Sequence, residues 1–151
     1  MKRTKLRSKD TAELLQQYPI AISKKDLLES YQDDNLNIIV INKIPSFFLY
    51  NNIYIPTIKL LLSNPLLPKV TIDTGAIKFI INGADIMRPG ITSIDPKTKS
   101  NQPVVIIDQQ HQKPLAVGIA LYSAEEMQQL KSGKVIKNIH YVGDEIWKST
   151  S

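Results

Sequence analysis

Apolar and polar positions along this chain switch between two spacings, and the switch points divide it into short elements. Leu36 to Ile41 is compact and β-branched and predicts a strand. Phe47-Phe48-Leu49-Tyr50 and Ile53-Tyr54-Ile55 flank Asn51-Asn52, the pattern of a β-hairpin whose turn residues tolerate the left-handed region. Pro56 ends the second of these strands. Thr57 is then placed to cap a short helix with Ile58, Leu61 and Leu62 on one face. Upstream, Asp10 is an N-cap for a helix over Thr11 to Gln17, which Pro19 ends. Ser23-Lys24-Lys25-Asp26 resembles a capping box and predicts a second helix to Tyr31. Asp33-Asp34-Asn35 reads as a turn.

Asn64-Pro65 and Pro68 punctuate the chain, so the expected organisation is an N-terminal domain over 1–67 and a C-terminal domain over 68–151. The second half opens with a strand at Val70-Thr71-Ile72. Asp73 caps a helix from Thr74 to Ile81 that turns Ile77, Ile80 and Ile81 inward and leaves Lys78 outward. Asn82-Gly83 is a helix-ending pair, and Pro89-Gly90 marks a turn. Val104 to Asp108 is a buried-type strand, and Leu115 to Leu121 returns as another. Ser123-Ala124-Glu125-Glu126 is a capping box for a helix to Lys131. Val135 to Val142 and Ile146-Trp147 supply the last strands. Short strands with two inserted helices suggest a small open barrel rather than a βαβ sheet.

Composition narrows the chemistry. With 151 residues, 42% hydrophobic and 22% charged, the chain can build an ordinary core. The net charge of +5 is compatible with nucleic acid without requiring it. The absence of cysteine removes disulfides, thiolate metal sites and a Cys nucleophile, and fits a cytoplasmic protein. No apolar run approaches the length of a bilayer span, so no membrane partner is expected. His111 and His140 lack metal-ligand spacing to each other, no phosphate-binding loop occurs, and the paired acids are adjacent in sequence, as in solvated turns and caps. These observations point away from an enzyme and imply no cofactor and no metal. The first nine residues hold Lys2, Arg3, Lys5, Arg7 and Lys9 without an acid, a solvated basic tail or first strand, or else an RNA-contacting arm.

Three blocks, in order, resemble the PUA domain, an RNA-binding module. They are Asp73-Thr74-Gly75-Ala76-Ile77-Lys78-Phe79 continuing into Gly83-Ala84-Asp85-Ile86-Met87-Arg88-Pro89-Gly90-Ile91; Pro114 to Ala120; and Gly133 to Trp147. Asn138-Ile139-His140-Tyr141, followed by Asp144 and Trp147, is similar to the malignant T-cell amplified sequence proteins, their yeast relatives, ligatin and archaeal counterparts. Tyr54-Ile55-Pro56-Thr57 resembles the end of that family's pre-PUA domain. The resemblance implies an α+β chain: a small α/β pre-PUA domain, then a mostly β PUA pseudo-barrel with two helices. It implies a non-catalytic factor acting in translation, in initiation or recycling, with tRNA or small-subunit rRNA as ligand. The ribosome and a protein carrying an initiation-factor-like domain are the implied partners. The alternative is a stand-alone accessory subunit that delivers tRNA to a modifying enzyme such as a transglycosylase or pseudouridine synthase. Carried onto this chain, the RNA-binding positions are Lys78, Gly83, Ala84, Arg88, Pro89, Gly90 and Ile91, with Lys134 and Lys137 as neighbours. Arg88, which some eukaryotic members lack, points to an archaeal member. Turn geometry alone is the competing explanation for Gly83, Pro89 and Gly90. A structural His140, a core Tyr141 and a core Trp147 are the expected roles of those side chains.

Overall fold

The computed structural model describes Lys2 to Ser149, and it is mixed α+β, with two sheets and short helices. It divides into two compact units. One comprises the chain up to Leu66 together with the segment from Glu145 onward; the other runs from Leu67 to Asp144.

The first unit is an antiparallel meander of β1 (Lys2–Lys5), β2 (Leu28–Gln32), β3 (Asn37–Ile41), β4 (Ile44–Tyr50) and β5 (Ile53–Pro56), in that spatial order. The turns follow from residue chemistry. Asn51 and Asn52 have φ of 47° and 65°, the two left-handed residues that a tight hairpin needs. The Asp33 carboxylate accepts from the Asn35 and Leu36 amides and closes the β2–β3 turn. Thr57 caps α2 (Ile58–Leu61) by accepting from the Leu60 amide. Leu14 on α1 (Ser8–Gln17), Ile39 and Phe47 form a fully buried cluster, and each such side chain contributes about 1.5–3 kcal/mol relative to exposure.

Three expectations fail in this unit. The helix expected from Ser23 to Tyr31 is a turn followed by strand β2. The cap contacts do form in part, because the Ser23 amide donates to Asp26 at 2.8 Å, but the chain then leaves helical geometry. The Leu27 amide donates to Asn42 Oδ1, the Asn42 amide donates to the Leu27 carbonyl, and β2 pairs on both sides with β1 and β3. Tertiary pairing overrides the local signal. Helix α1 starts earlier than expected, with Arg7 at the N-cap, and Asp10 pairs with Arg7 at 3.1 Å rather than capping. Ile146-Trp147 is not a strand; these residues form turns that belong to the first unit. There Lys59 Nζ lies 4.9 Å from the Trp147 ring centroid and donates to the Trp147 carbonyl at 2.7 Å.

The second unit is a six-stranded sheet in the order β7-β11-β10-β9-β6-β8. Its strands are β6 (Lys69–Ile72), β7 (Ile86–Met87), β8 (Ile91–Ile94), β9 (Pro103–Asp108), β10 (Pro114–Ala120) and β11 (Lys134–Tyr141). Every residue of β9 is buried, its apolar run Val104 to Ile107 ending in the buried Asp108, and β6 and β9 are the parallel pair. The capping box at Ser123 forms in full and opens α4 (Ala124–Gln129). His140 is fully buried and its Nδ1 lies 2.9 Å from the Asp144 carboxylate, the structural role expected of it.

Candidate functional site

The site is assembled where β6 gives way to the first helix of the second unit. The Asp73 carboxylate accepts from the Ala76 amide, a tight turn covers Thr74–Ala76, and α3 (Ile77–Ile80) continues from it. Ile80 is buried and Ile77 is partly buried. Ile81, expected inward, is 38% exposed because the helix has already ended there. Gly83 has φ of 93°, its amide donates to the Ile80 carbonyl, and the Ala84 amide donates to the Phe79 carbonyl. This is a Schellman ending, whose left-handed residue favours glycine. A side chain at Gly83 would also press on the Tyr141 ring, since a Cβ there would lie 3.2 Å from Tyr141 Cε1.

Asn138 on β11 fixes the loop that follows. Its side-chain amide donates to the carbonyls of Ile80 and Ala84 at 3.1 and 3.0 Å, and its backbone amide donates to Asp85. Asp85 also lies 3.5 Å from Lys134 Nζ. Strand β7 pairs with β11, the Arg88 amide donates to the Gly133 carbonyl, and a turn over Arg88–Gly90 brings the Gly90 carbonyl to the Asp73 amide at 2.9 Å. The loop is therefore closed at both ends by backbone bonds.

Between α3 and this loop lies a groove of about 480 Å³ whose lining includes Gly75, Ala76, Phe79, Ala84, Met87, Pro89 and Gly90. Phe79 is 58% exposed and Met87 50% exposed, so the groove presents large apolar faces to solvent. Lys78 is exposed beside it, with Nζ 5.1 Å from the Phe79 ring centroid. The small residues leave backbone accessible, and the exposed apolar faces suit a flat ring. Asp73 and Asp85 also line the groove, engaged by the Ala76 amide and by the Asn138 amide with Lys134 respectively, so Lys78 is the cation at its edge.

The expected site residues separate into distinct positions. Ala84, Pro89 and Gly90 line the groove, and Lys78 flanks it. Gly83 packs under the loop, and Ile91 is buried in the core. Arg88 is half-buried: Nε donates to the Met127 carbonyl at 2.7 Å and Nη1 to the Ile91 carbonyl at 3.4 Å. Lys134 pairs with Asp85, and Lys137 lies on β11 opposite Ile119, outside the groove lining. Sequence reasoning missed Phe79 and Met87 as site residues, and Asn138 as the clamp. The signal for Phe79 was present: the stripe of Ile77 and Ile80 leaves position 79 on the outer face. Asn138 carried no such signal, because its partners are carbonyls far away in sequence. Among the described residues, no group of three or more His, Asp or Glu is arranged to hold a metal ion, and no helix is long and apolar enough to cross a membrane.

Residues 68–142 match the PUA domain, and residues 2–64 match a domain of unknown function (DUF1947). An uncharacterised protein of Methanocaldococcus jannaschii is 47% identical over 83% of this chain and 78% of its own length. Translation machinery-associated protein 20 of Schizosaccharomyces pombe is 32% identical over 91% of this chain and 84% of its own length. Malignant T-cell-amplified sequence 1-B of Xenopus laevis is 32% identical over 89% and 82%. Among solved structures, a hypothetical protein of Pyrococcus horikoshii superposes with a TM-score of 0.85 at 32% identity, over 99% of this chain and all of the other. An H/ACA RNP bound to a substrate RNA matches 62% of this chain and 28% of its own chain, with a TM-score of 0.52 at 26% identity.

Proposed function

This chain belongs to the PUA-domain family of the malignant T-cell-amplified sequence proteins and translation machinery-associated protein 20, and from that membership we propose that it is a non-catalytic RNA-binding factor of the translation apparatus. It acts in the cytoplasm on the small ribosomal subunit or on tRNA, in initiation or recycling. The observation that carries the reading is the groove between α3 and the loop over residues 83–90, with Phe79 exposed at its edge and Lys78 beside that ring. An unpaired nucleotide stacks its base on Phe79, and Lys78 takes an adjacent phosphate. Arg88 has five N–H donors and gives two to the carbonyls of Met127 and Ile91. It holds the turn while its remaining N–H groups serve a phosphate. The name of the yeast relative supports translation, and the substrate RNA bound by the H/ACA particle supports RNA as the ligand.

A non-catalytic role agrees with how the carboxylates are used. Backbone amides hold Asp26, Asp33, Asp108 and Glu126 below the usual carboxylate range: the Ser23 amide, the Asn35 amide, the Lys113 amide and the Ser123 amide are the respective leading causes. Such groups stay ionised near neutrality and serve turns and caps rather than proton transfer. The second reading, an accessory subunit for a tRNA-modifying enzyme, draws on the H/ACA neighbour. That match covers 62% of this chain, whereas the match to the translation-named yeast relative covers 91% of it.

The test is co-sedimentation with small ribosomal subunits, in parallel with tRNA titration over a range of salt. Subunit binding supports the first reading, and tight tRNA binding without subunit binding supports the second. Phe79→Ser is expected to weaken RNA binding by about 1–3 kcal/mol without altering the salt slope. Lys78→Ala is expected to reduce the slope by about 0.7–0.9. Unchanged affinity in both variants would remove RNA from this groove.

A further inference from the structure

The first unit carries a second concave surface that RNA binding at the α3 groove does not use. An open groove of about 750 Å³ runs between α1 and the turn preceding β2. Its apolar lining includes Leu6, Leu15, Ile22 and Leu27, and Leu15 and Leu27 are each 44% exposed. Lys5, Lys24 and Lys25 also line it and are exposed. Elsewhere in this unit Arg3 and Lys43 reach Glu29, and Arg7 reaches Asp10, whereas Lys2 and Lys9 are exposed outside this groove. Among the described residues, Lys5, Lys24 and Lys25 have no carboxylate within 4.0 Å. The one acid of the lining, Asp26, is engaged by the Ser23 amide and by Asn42 Nδ2 at 3.0 Å. The wall is pre-formed as well, because Asn42 pins Leu27 through two bonds of 2.8 Å. Little ordering is then required of this side on binding.

The chemistry selects the occupant. The apolar part of the lining is aliphatic, alongside Ser8, Thr11 and Ser23, and among the described residues neither an aromatic side chain nor an arginine lines it, so nucleobases find no stacking platform. A second copy of this chain, itself at +5, would bring like charge to three lysines. An aliphatic surface flanked by lysines complements a peptide that alternates apolar anchors with carboxylates, and the lysine stems add apolar area. We propose that this groove docks an acidic amphipathic segment of a partner protein, with its anchors on Leu15 and Leu27 and its carboxylates facing Lys5, Lys24 and Lys25.

A random peptide library displayed on phage, panned against the full-length protein, tests this. Recovered peptides are titrated by fluorescence anisotropy on the wild type, on the double variant Lys24→Glu/Lys25→Glu and on Leu27→Ser. All three positions are exposed, and circular dichroism checks that each variant folds. The expected peptides carry Leu, Ile, Phe or Met flanked by Asp or Glu. They bind the charge-reversed variant at least about tenfold more weakly and lose affinity for Leu27→Ser. Recovery of no peptide, recovery of peptides without acids, or equal affinity for the charge-reversed variant overturns the proposal. In a parallel arm, an oligouridylate that protects Lys24 and Lys25 from acetylation would assign the groove to RNA and overturn it too. Phe79→Ser, in the other unit, is expected to leave peptide affinity unchanged, so this proposal and the RNA reading fail independently.

Discussion

Asn138 is the position where a single atom exchange interrogates the candidate site. Its Nδ2 donates to two carbonyls, those of Ile80 and Ala84, which end α3 and begin the loop. Each such bond contributes a net ~0.5–1.5 kcal/mol, so losing both costs about 1–3 kcal/mol. Asn138→Ala also deletes Oδ1, a buried acceptor without a hydrogen-bond partner, and this offsets part of the loss. The net expectation for alanine is about 1–2 kcal/mol. Asn138→Asp keeps the shape but replaces the double donor with an anionic oxygen facing carbonyls that the amide held at 3.1 and 3.0 Å, and it sets a second carboxylate near Asp85. Losing both bonds and adding repulsion costs about 3 kcal/mol or more. Urea unfolding followed by two probes, because the chain has two units, gives the ranking. Hydrogen exchange at Gly83, Ala84 and Asp85 places the effect in the loop. Asparagine should be most stable, alanine intermediate and aspartate least. If aspartate matches or exceeds alanine, Asn138 does not clamp these carbonyls, and the account of how the groove is held is refuted.

Two further outcomes follow from packing and burial. Gly118 on β10 runs against β11, where an added Cβ would overlap Ile136 Cγ2 and lie 2.8 Å from the Lys137 carbonyl oxygen. Gly118→Ala should therefore destabilise the second unit by about 1–3 kcal/mol, and an unchanged Tm by calorimetry would contradict that close approach. Burial pushes the Tyr18 hydroxyl up from 10.0 to about 12, and it donates to the Tyr54 carbonyl at 2.8 Å. A raised folded value means that the stabilisation is full below pH 10 and is lost as pH climbs toward 12. Thermal melts of wild type and Tyr18→Phe should differ at neutral pH and converge across that alkaline window, whereas a constant gap would contradict it.

The elements legible in the sequence were those whose determinants are local. The Asn51-Asn52 hairpin, the Thr57 cap, the Ser123 capping box and the Gly83 helix ending each depend on residues within a few positions, and each forms. Strand β9 was legible because burial on both faces demands an apolar run, here Val104 to Ile107. The failures have the opposite character. Ser23 to Asp26 carries a genuine cap signal, but Asn42, β1 and β3 redirect the segment into β2, and none of these is near in sequence. Ile146-Trp147 reads as a strand by composition and instead forms turns in the first unit, where Lys59 binds it. The candidate site divides along the same line. Its glycines, Pro89 and the outward Lys78 were readable, whereas the clamp by Asn138 and the engagement of Arg88 by two carbonyls required the fold.

A net charge of +5 treats every cation alike, but the fold does not. Arg3 and Lys43 share Glu29, Arg7 takes Asp10, Lys134 takes Asp85, and Arg88 is bound to carbonyls. Lys78 instead lies against an exposed ring at one groove, while Lys24 and Lys25 line another without a carboxylate partner among the described residues. Lys78→Ala and Lys24→Ala each lower the net charge by the same amount. If diffuse attraction dominates, the two should weaken RNA binding equally and act chiefly on association rate. If the local geometry governs, only Lys78→Ala lowers RNA affinity and its salt slope, and only Lys24→Ala weakens the acidic peptide. The crossed pattern cannot arise from net charge, so the pair of variants separates a surface that is merely basic from one that assigns its cations to two ligands.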